Sequence, residues 1–110
     1  MMRQLNFLLV GVGGQGTVLA STILAQAGIQ AGYDVKKSEV HGMAQRGGSV
    51  SSHVRWGQRV FSPLIGDGEA DILVAFEQVE ALRYIGALRP GGTVIISDQA
   101  IVPMTVTCSP

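Results

Sequence analysis

Two clusters of residues carry the chemistry that this sequence offers. The first is Gly11-Val12-Gly13-Gly14-Gln15-Gly16, which satisfies G-x-G-x-x-G. Glycines at those positions allow a tight turn, close approach of a ligand to the backbone, and close packing of helix on strand. A helix beginning there aims free N–H groups and a positive dipole end at a phosphate. The second cluster is Ser38-Glu39-Val40-His41-Gly42-Met43-Ala44-Gln45-Arg46-Gly47-Gly48-Ser49-Val50. Gly47-Gly48 can form a nest of backbone N–H groups, and Arg46 adds a fork-shaped cation beside it. Both clusters point to anion binding. The competing explanations are close packing for the glycines and a loop-pinning ion pair for Arg46.

Other candidates stand beside ordinary explanations. If the ligand were NAD, a strand-end carboxylate would be needed for the ribose hydroxyls, and Glu39 is the one plausible occupant. Against that, it is also an ordinary carboxylate flanking a loop. His41 is a candidate contact for substrate or a partner's cofactor; a loop histidine bonded to backbone is the commoner case. His53 falls on the polar side of an alternating run and is expected to be exposed. No carboxylate lies at ligand spacing from either histidine, so no metal site is expected. Ser49, Ser51 and Ser52 have no evident base nearby, and no catalytic residue is assigned. Met43 reads as contact surface, and Trp56 and Phe61 as core or subunit interface.

The elements that would position these clusters follow from periodicity. Leu5–Val10, Asp71–Phe76 and Thr93–Ser97 are continuously apolar, as strands buried on both faces require. They are expected to be neighbouring, central and parallel. Thr17–Ala31 reads as a helix apolar almost all round, packed on both sides and closed by Gly32. Asp34–Glu39 is a weaker strand, and Val40–Gly48 a loop. Ser49–Trp56 alternates, and Gly57-Gln58 suits a two-residue turn returning Arg59–Ser62 antiparallel. Glu77–Leu88 is a second helix, stopped by Arg89-Pro90-Gly91-Gly92. This order predicts an α/β fold: an open, mainly parallel, Rossmann-like sheet with one antiparallel hairpin, C-terminally incomplete. The loops after the first and second strands should open on one crevice.

Composition narrows the classes. One domain is expected from 110 residues. Eight basic and eight acidic side chains cancel, which argues against nucleic acid and against a polybasic membrane patch. Cys108 is the single cysteine, so a disulfide, a zinc site or a four-cysteine iron–sulfur cluster cannot form within one copy. No run is long enough to span a membrane and no signal peptide is evident, so cytoplasm is the expected compartment.

The two motifs together resemble the pyruvate/2-oxoacid ferredoxin (flavodoxin) oxidoreductase gamma family. The His-Gly-Met-Ala-Gln-Arg-Gly-Gly form is most similar to the indolepyruvate ferredoxin oxidoreductase beta subunit. The resemblance runs from about Asn6 to Asp98, and makes residues 1–110 the N-terminal part of a longer gamma-type domain. It implies a subunit of a thiamine-dependent enzyme (EC 1.2.7.-) that oxidatively decarboxylates a 2-oxoacid such as indolepyruvate to acyl-CoA and reduces ferredoxin. Thiamine diphosphate and iron–sulfur clusters would sit on the large alpha subunit, which is the implied partner, with ferredoxin met through the complex. This chain would be accessory and inactive alone, shaping the site or holding coenzyme A. The cofactor-binding candidates are then Gly11, Gly13, Gly14, Gln15, Gly16, His41, Arg46, Gly47 and Gly48. The alternative is a free-standing NAD-type dehydrogenase fragment, against which the Arg46-Gly47-Gly48 loop argues. Two helices are too few to clad both sheet faces, so the chain by itself is expected to form a homo-oligomer.

Overall fold

The computed structural model describes residues 4–12, 15–41, 49–98 and 104–108. Strand β1 (Leu5–Val12) leads to helix α1 (Gln15–Gln30), then β2 (Asp34–His41), β3 (Ser49–Gly57) and β4 (Ala70–Ala75). Helix α2 (Gln78–Tyr84) passes through a short 3-10 turn into β5 (Leu88–Asp98), and β6 (Met104–Cys108) follows. The described strands form one sheet in the order β2-β3-β1-β4-β5-β6. β1, β4 and β5 are parallel neighbours, flanked by β3 and β6, so none of the three lies at an edge. The three continuous apolar runs therefore have the central, parallel placement expected of them.

β1 shows why such a run is needed. Phe7 and Leu9 enter one core layer with Val54 and Ala25 of α1. Leu8 and Val10 enter the other with Leu73, Ala75, Val94 and Ala81 of α2. Successive side chains go to opposite faces, and here a helix covers each. α1 ends as expected: Gly32 sits at φ +92°, with Gly32 N–H donating to Ile29 O and Tyr33 N–H to Gly28 O, both at 3.0 Å. That pair of bonds satisfies the last carbonyls of the helix.

Several expectations are corrected. Arg59–Ser62 forms no strand, because β3 already pairs antiparallel with β1 on one edge and β2 on the other. No free edge remains for a returning hairpin, and the antiparallel connection is β2 to β3. β2 extends through His41. α2 gives way to a 3-10 turn at Ile85, and Arg89-Pro90-Gly91-Gly92 enters β5 opposite a register shift in β4. The tail contributes β6, which covers the outer edge of β5. α1 is not packed all round: Leu19, Ile23 and Ile29 are exposed, as are Val79 and Leu82 on α2. No helix among the described residues is long and apolar enough to cross a membrane.

Candidate functional site

The register of the sheet brings the flanks of both motifs to one edge. Val12, at the end of β1, pairs with Ser49, and Gly11 pairs with Val50. His41, at the end of β2, pairs with Val50 from the other side. β2 thus runs parallel to β1 with β3 between them, and the chain leaves β1 and β2 at the same end of the sheet. α1 starts there, and β4 ends there, with Phe76 N–H donating to Val10 O at 3.0 Å.

Gly11 is buried in β1, and a Cβ there would stand 3.1 Å from Cγ2 of Thr17 and 3.4 Å from Cβ of Phe76. Its glycine is therefore explained by the close approach of α1 to the sheet. Gly16 lies in the first turn of α1, where a Cβ would make only ordinary contact, 3.5 Å from the Phe76 ring. Gln15 opens the helix, and no acidic residue occupies its first turn. Gly13, Gly14, Arg46, Gly47 and Gly48 lie outside the described residues, as does Met43. Among the nine candidate residues, Gly11, Gln15, Gly16 and His41 are therefore placed around this one edge.

Sequence reasoning missed Glu77. It precedes α2, yet its carboxylate caps no N–H of that helix. Instead Oε1 accepts from Val12 N–H at 3.1 Å, tying the end of β1 to the end of β4. Its placement between an apolar strand and a helix was the available signal, but the partner is 65 residues away. Glu39 does not meet the needs of a ribose carboxylate. It pairs with Lys37 at 3.2 Å on the outermost strand, and β3 separates it from β1. Two strand spacings, about 10 Å, then lie where adjacent strands are needed.

His53 is a second correction, being only 8% exposed. Its Nδ1 accepts from Ile65 N–H at 3.0 Å. The proton must then sit on Nε2, which donates to Ser51 Oγ at 3.2 Å. An imidazole in that tautomer cannot take the Ser51 proton, so the pair is no nucleophile and base. Burial holds the imidazole pKa below its ordinary range, and the nearby Arg55 charge lowers it further. Among the described residues no group of three or more His, Cys, Asp and Glu could hold a metal ion.

Comparison with known proteins bears on this edge. The sequence profile described as pyruvate ferredoxin/flavodoxin oxidoreductase matches residues 6–109. Indolepyruvate oxidoreductase subunit IorB of Thermococcus kodakarensis is 45% identical over 106 residues, covering 96% of this chain and 52% of the relative. The chain thus spans about half the length of that curated relative. The crystal structure of a keto/oxoacid ferredoxin oxidoreductase gamma subunit from Geobacter sulfurreducens has a TM-score of 0.68 at 30% identity, covering 84% of this chain and 50% of that one. The fold is also found in the 2-oxoglutarate:ferredoxin oxidoreductase of Magnetococcus marinus, which was solved with 2-oxoglutarate, coenzyme A and succinyl-CoA bound. There the TM-score is 0.73 at 19% identity, covering 91% of this chain and 17% of that chain.

Proposed function

The chain belongs to the pyruvate ferredoxin/flavodoxin oxidoreductase family, and on that premise we propose that it is an accessory subunit of a 2-oxoacid:ferredoxin oxidoreductase of the indolepyruvate type. In this reading it shapes the active site of a larger alpha subunit in the cytoplasm and holds the phosphates of coenzyme A. The observation that carries the reading is the register that sets Val12, His41 and Ser49 at one end of the sheet. Both candidate anion-binding motifs follow directly from strands that finish at that end.

The described residues fit a phosphate there. The 16-residue α1 offers backbone N–H groups at its start with no acid in its first turn. The Glu77 carboxylate at this edge is engaged by Val12 N–H. Arg46, with Gly47 and Gly48, would add charge-assisted bonds to the same group. Thiamine diphosphate supplies the decarboxylation chemistry, on the partner. A cluster needing four thiolates cannot form from the one cysteine of these 110 residues, and in this reading the clusters are also on the partner. Ferredoxin is then reduced through the complex, and this chain alone is inactive. The NAD-type dehydrogenase alternative is disfavoured by the displaced Glu39.

Calorimetric titration of the intact complex tests this. Coenzyme A should bind, and Arg46→Ala should weaken it about tenfold or more, as expected from losing a charge-assisted bond worth about 1.5–3 kcal/mol. NAD binding that is tighter than coenzyme A binding and survives Arg46→Ala would overturn the assignment.

A further inference from the structure

Between β3 and β4 the chain crosses one face of the sheet as an irregular segment whose two ends are tied by different chemistry. Val60 is buried, and its N–H donates to Asp34 Oδ2 at 2.8 Å. Ile65 is buried in the core layer of Leu8, Val10 and Ala81, and its N–H donates to His53 Nδ1 at 3.0 Å. The carbonyl of that same peptide unit, Leu64 O, accepts from Arg55 Nη1, as does Ser62 O. Beyond Ile65 the chain turns, and Glu69 Oε1 accepts Gly66 N–H at 2.9 Å. One peptide unit is therefore gripped from β3 on both sides, by a guanidinium on its oxygen and a neutral imidazole on its N–H.

Nε2 of His53 already carries a proton and donates it to Ser51, so a second proton can enter the ring only at Nδ1. That is the atom Ile65 N–H occupies, and a fully protonated imidazole has no acceptor left. The proton and the Ile65 bond exclude each other. His53 and Arg55 would then both be donors facing a peptide whose one acceptor Arg55 already uses. We propose that residues 60–65 form a strap which protonation of His53 unfastens at the Ile65 end, while Asp34 keeps the Val60 end tied.

The charges on this face set the order of events. Strand register puts Asp34 and Lys36 of β2, Arg55 of β3 and Asp71 of β4 on the same side as His53. Glu80 and Arg83 come from α2, which covers that side, and Arg59, Asp67 and Glu69 from the segment and the turn after it. Asp71 is engaged by Arg89, Glu80 by Arg83 at 3.6 Å, and Glu69 by Gly66 N–H. Burial, and then the Arg55 charge, keep His53 neutral to a lower pH than an exposed histidine. Val60 N–H and Lys36 hold Asp34 ionised below its usual range, with Arg59 adding to the effect. Between those two titrations the strap is open at one end only.

Amide hydrogen exchange of the full chain, read by NMR from pH 7.5 to 5 and corrected for intrinsic rates, tests the strap. Below pH 6.5, the value of an exposed imidazole, opening at Ile65 should rise about tenfold per pH unit, as uptake of one proton requires. Val60 should change by less than about twofold, since Asp34 takes up no proton in that range. Leu8 and Val10 report unfolding of the sheet and should stay about a hundredfold or more slower than Ile65. His53→Gln keeps an acceptor for Ile65 N–H but takes up no proton, so its Ile65 exchange should be flat with pH. A flat profile at Ile65 in the parent, a parallel rise at Val60, an Ile65 rate equal to that of Leu8, or a slope that persists in His53→Gln overturns the proposal. The imidazole nitrogen-15 shifts of the parent give a check that needs no variant. The entering proton must appear on Nδ1, and a ring already protonated there at pH 7.5 refutes the latch.

Discussion

Gly28→Ala separates two opposing effects in the last turn of α1. In an exposed helix the change stabilises by about 0.8–1 kcal/mol, because alanine is the better helix former. Here the new Cβ would lie 2.6 Å from Nε1 and 2.8 Å from Cε2 of Trp56, and 2.8 Å from Cγ2 of Val35. Neither neighbour yields easily. The indole N–H donates to Leu24 O at 3.1 Å, its ring meets Phe7 at a centroid distance of 4.9 Å, and Val35 belongs to β2. Overpacking of this kind costs about 1–3 kcal/mol, and displacing the indole would forfeit a hydrogen bond worth about 1 kcal/mol. The clash wins, leaving a net loss of about 1–2 kcal/mol. For a chain near this length that lowers Tm by about 5–10 °C. Calorimetry or near-ultraviolet dichroism reads the shift. Gly86→Ala is the control, because nothing lies within 4 Å of its Cβ position; its Tm should barely move. A Gly28→Ala protein melting at or above the parent would refute the claim that α1 touches β2 and β3 here.

Two further predictions concern stability. His53 is held neutral, so its folded pKa lies below the unfolded value near 6.5. Its contribution is complete above pH 6.5 and falls away as pH drops from there to the folded pKa, and thermal melts from pH 7.5 to 5 should show this slope, flattened in His53→Gln. Asp71 accepts Asn6 N–H at 2.8 Å on one oxygen and Arg89 on the other. Asp71→Ala should cost about 2 kcal/mol in urea unfolding at unchanged m, the ion-pair part being discounted because Arg89 is over a third exposed; a loss under about 0.5 kcal/mol would contradict it.

The parts legible in the sequence were those whose environment is uniform along a run. Leu5–Val10 announces two-sided burial because every position in it meets a core. β3 announced its period but not its surroundings. Ser51, His53 and Arg55 read as a wet face, yet the 60–65 segment lies on His53 and Arg55, and that segment has no periodicity to betray it. The glycine motif located the start of α1 to within two residues, because turn and helix start are local. Glu77 on Val12, and β3 inserted between β1 and β2, are decided by sheet order, which local pattern does not encode. The insertion is also what strands Glu39.

The position of β1 has a consequence for biosynthesis. Its neighbours are β3, with Leu5 opposite Trp56, and β4, with Phe7 opposite Ile72. β1 is thus made before either neighbour and finds its partners some fifty to sixty-five residues later. On the ribosome, at about 5–20 residues per second, that leaves several seconds in which Asn6-Phe7-Leu8-Leu9-Val10 has no sheet to join. Pairing over such separations is slow to close and exposes unpaired strand edges in the meantime. Chaperones that hold short apolar extended segments would find a natural client in Leu5–Val12 as it emerges ahead of its partner strands.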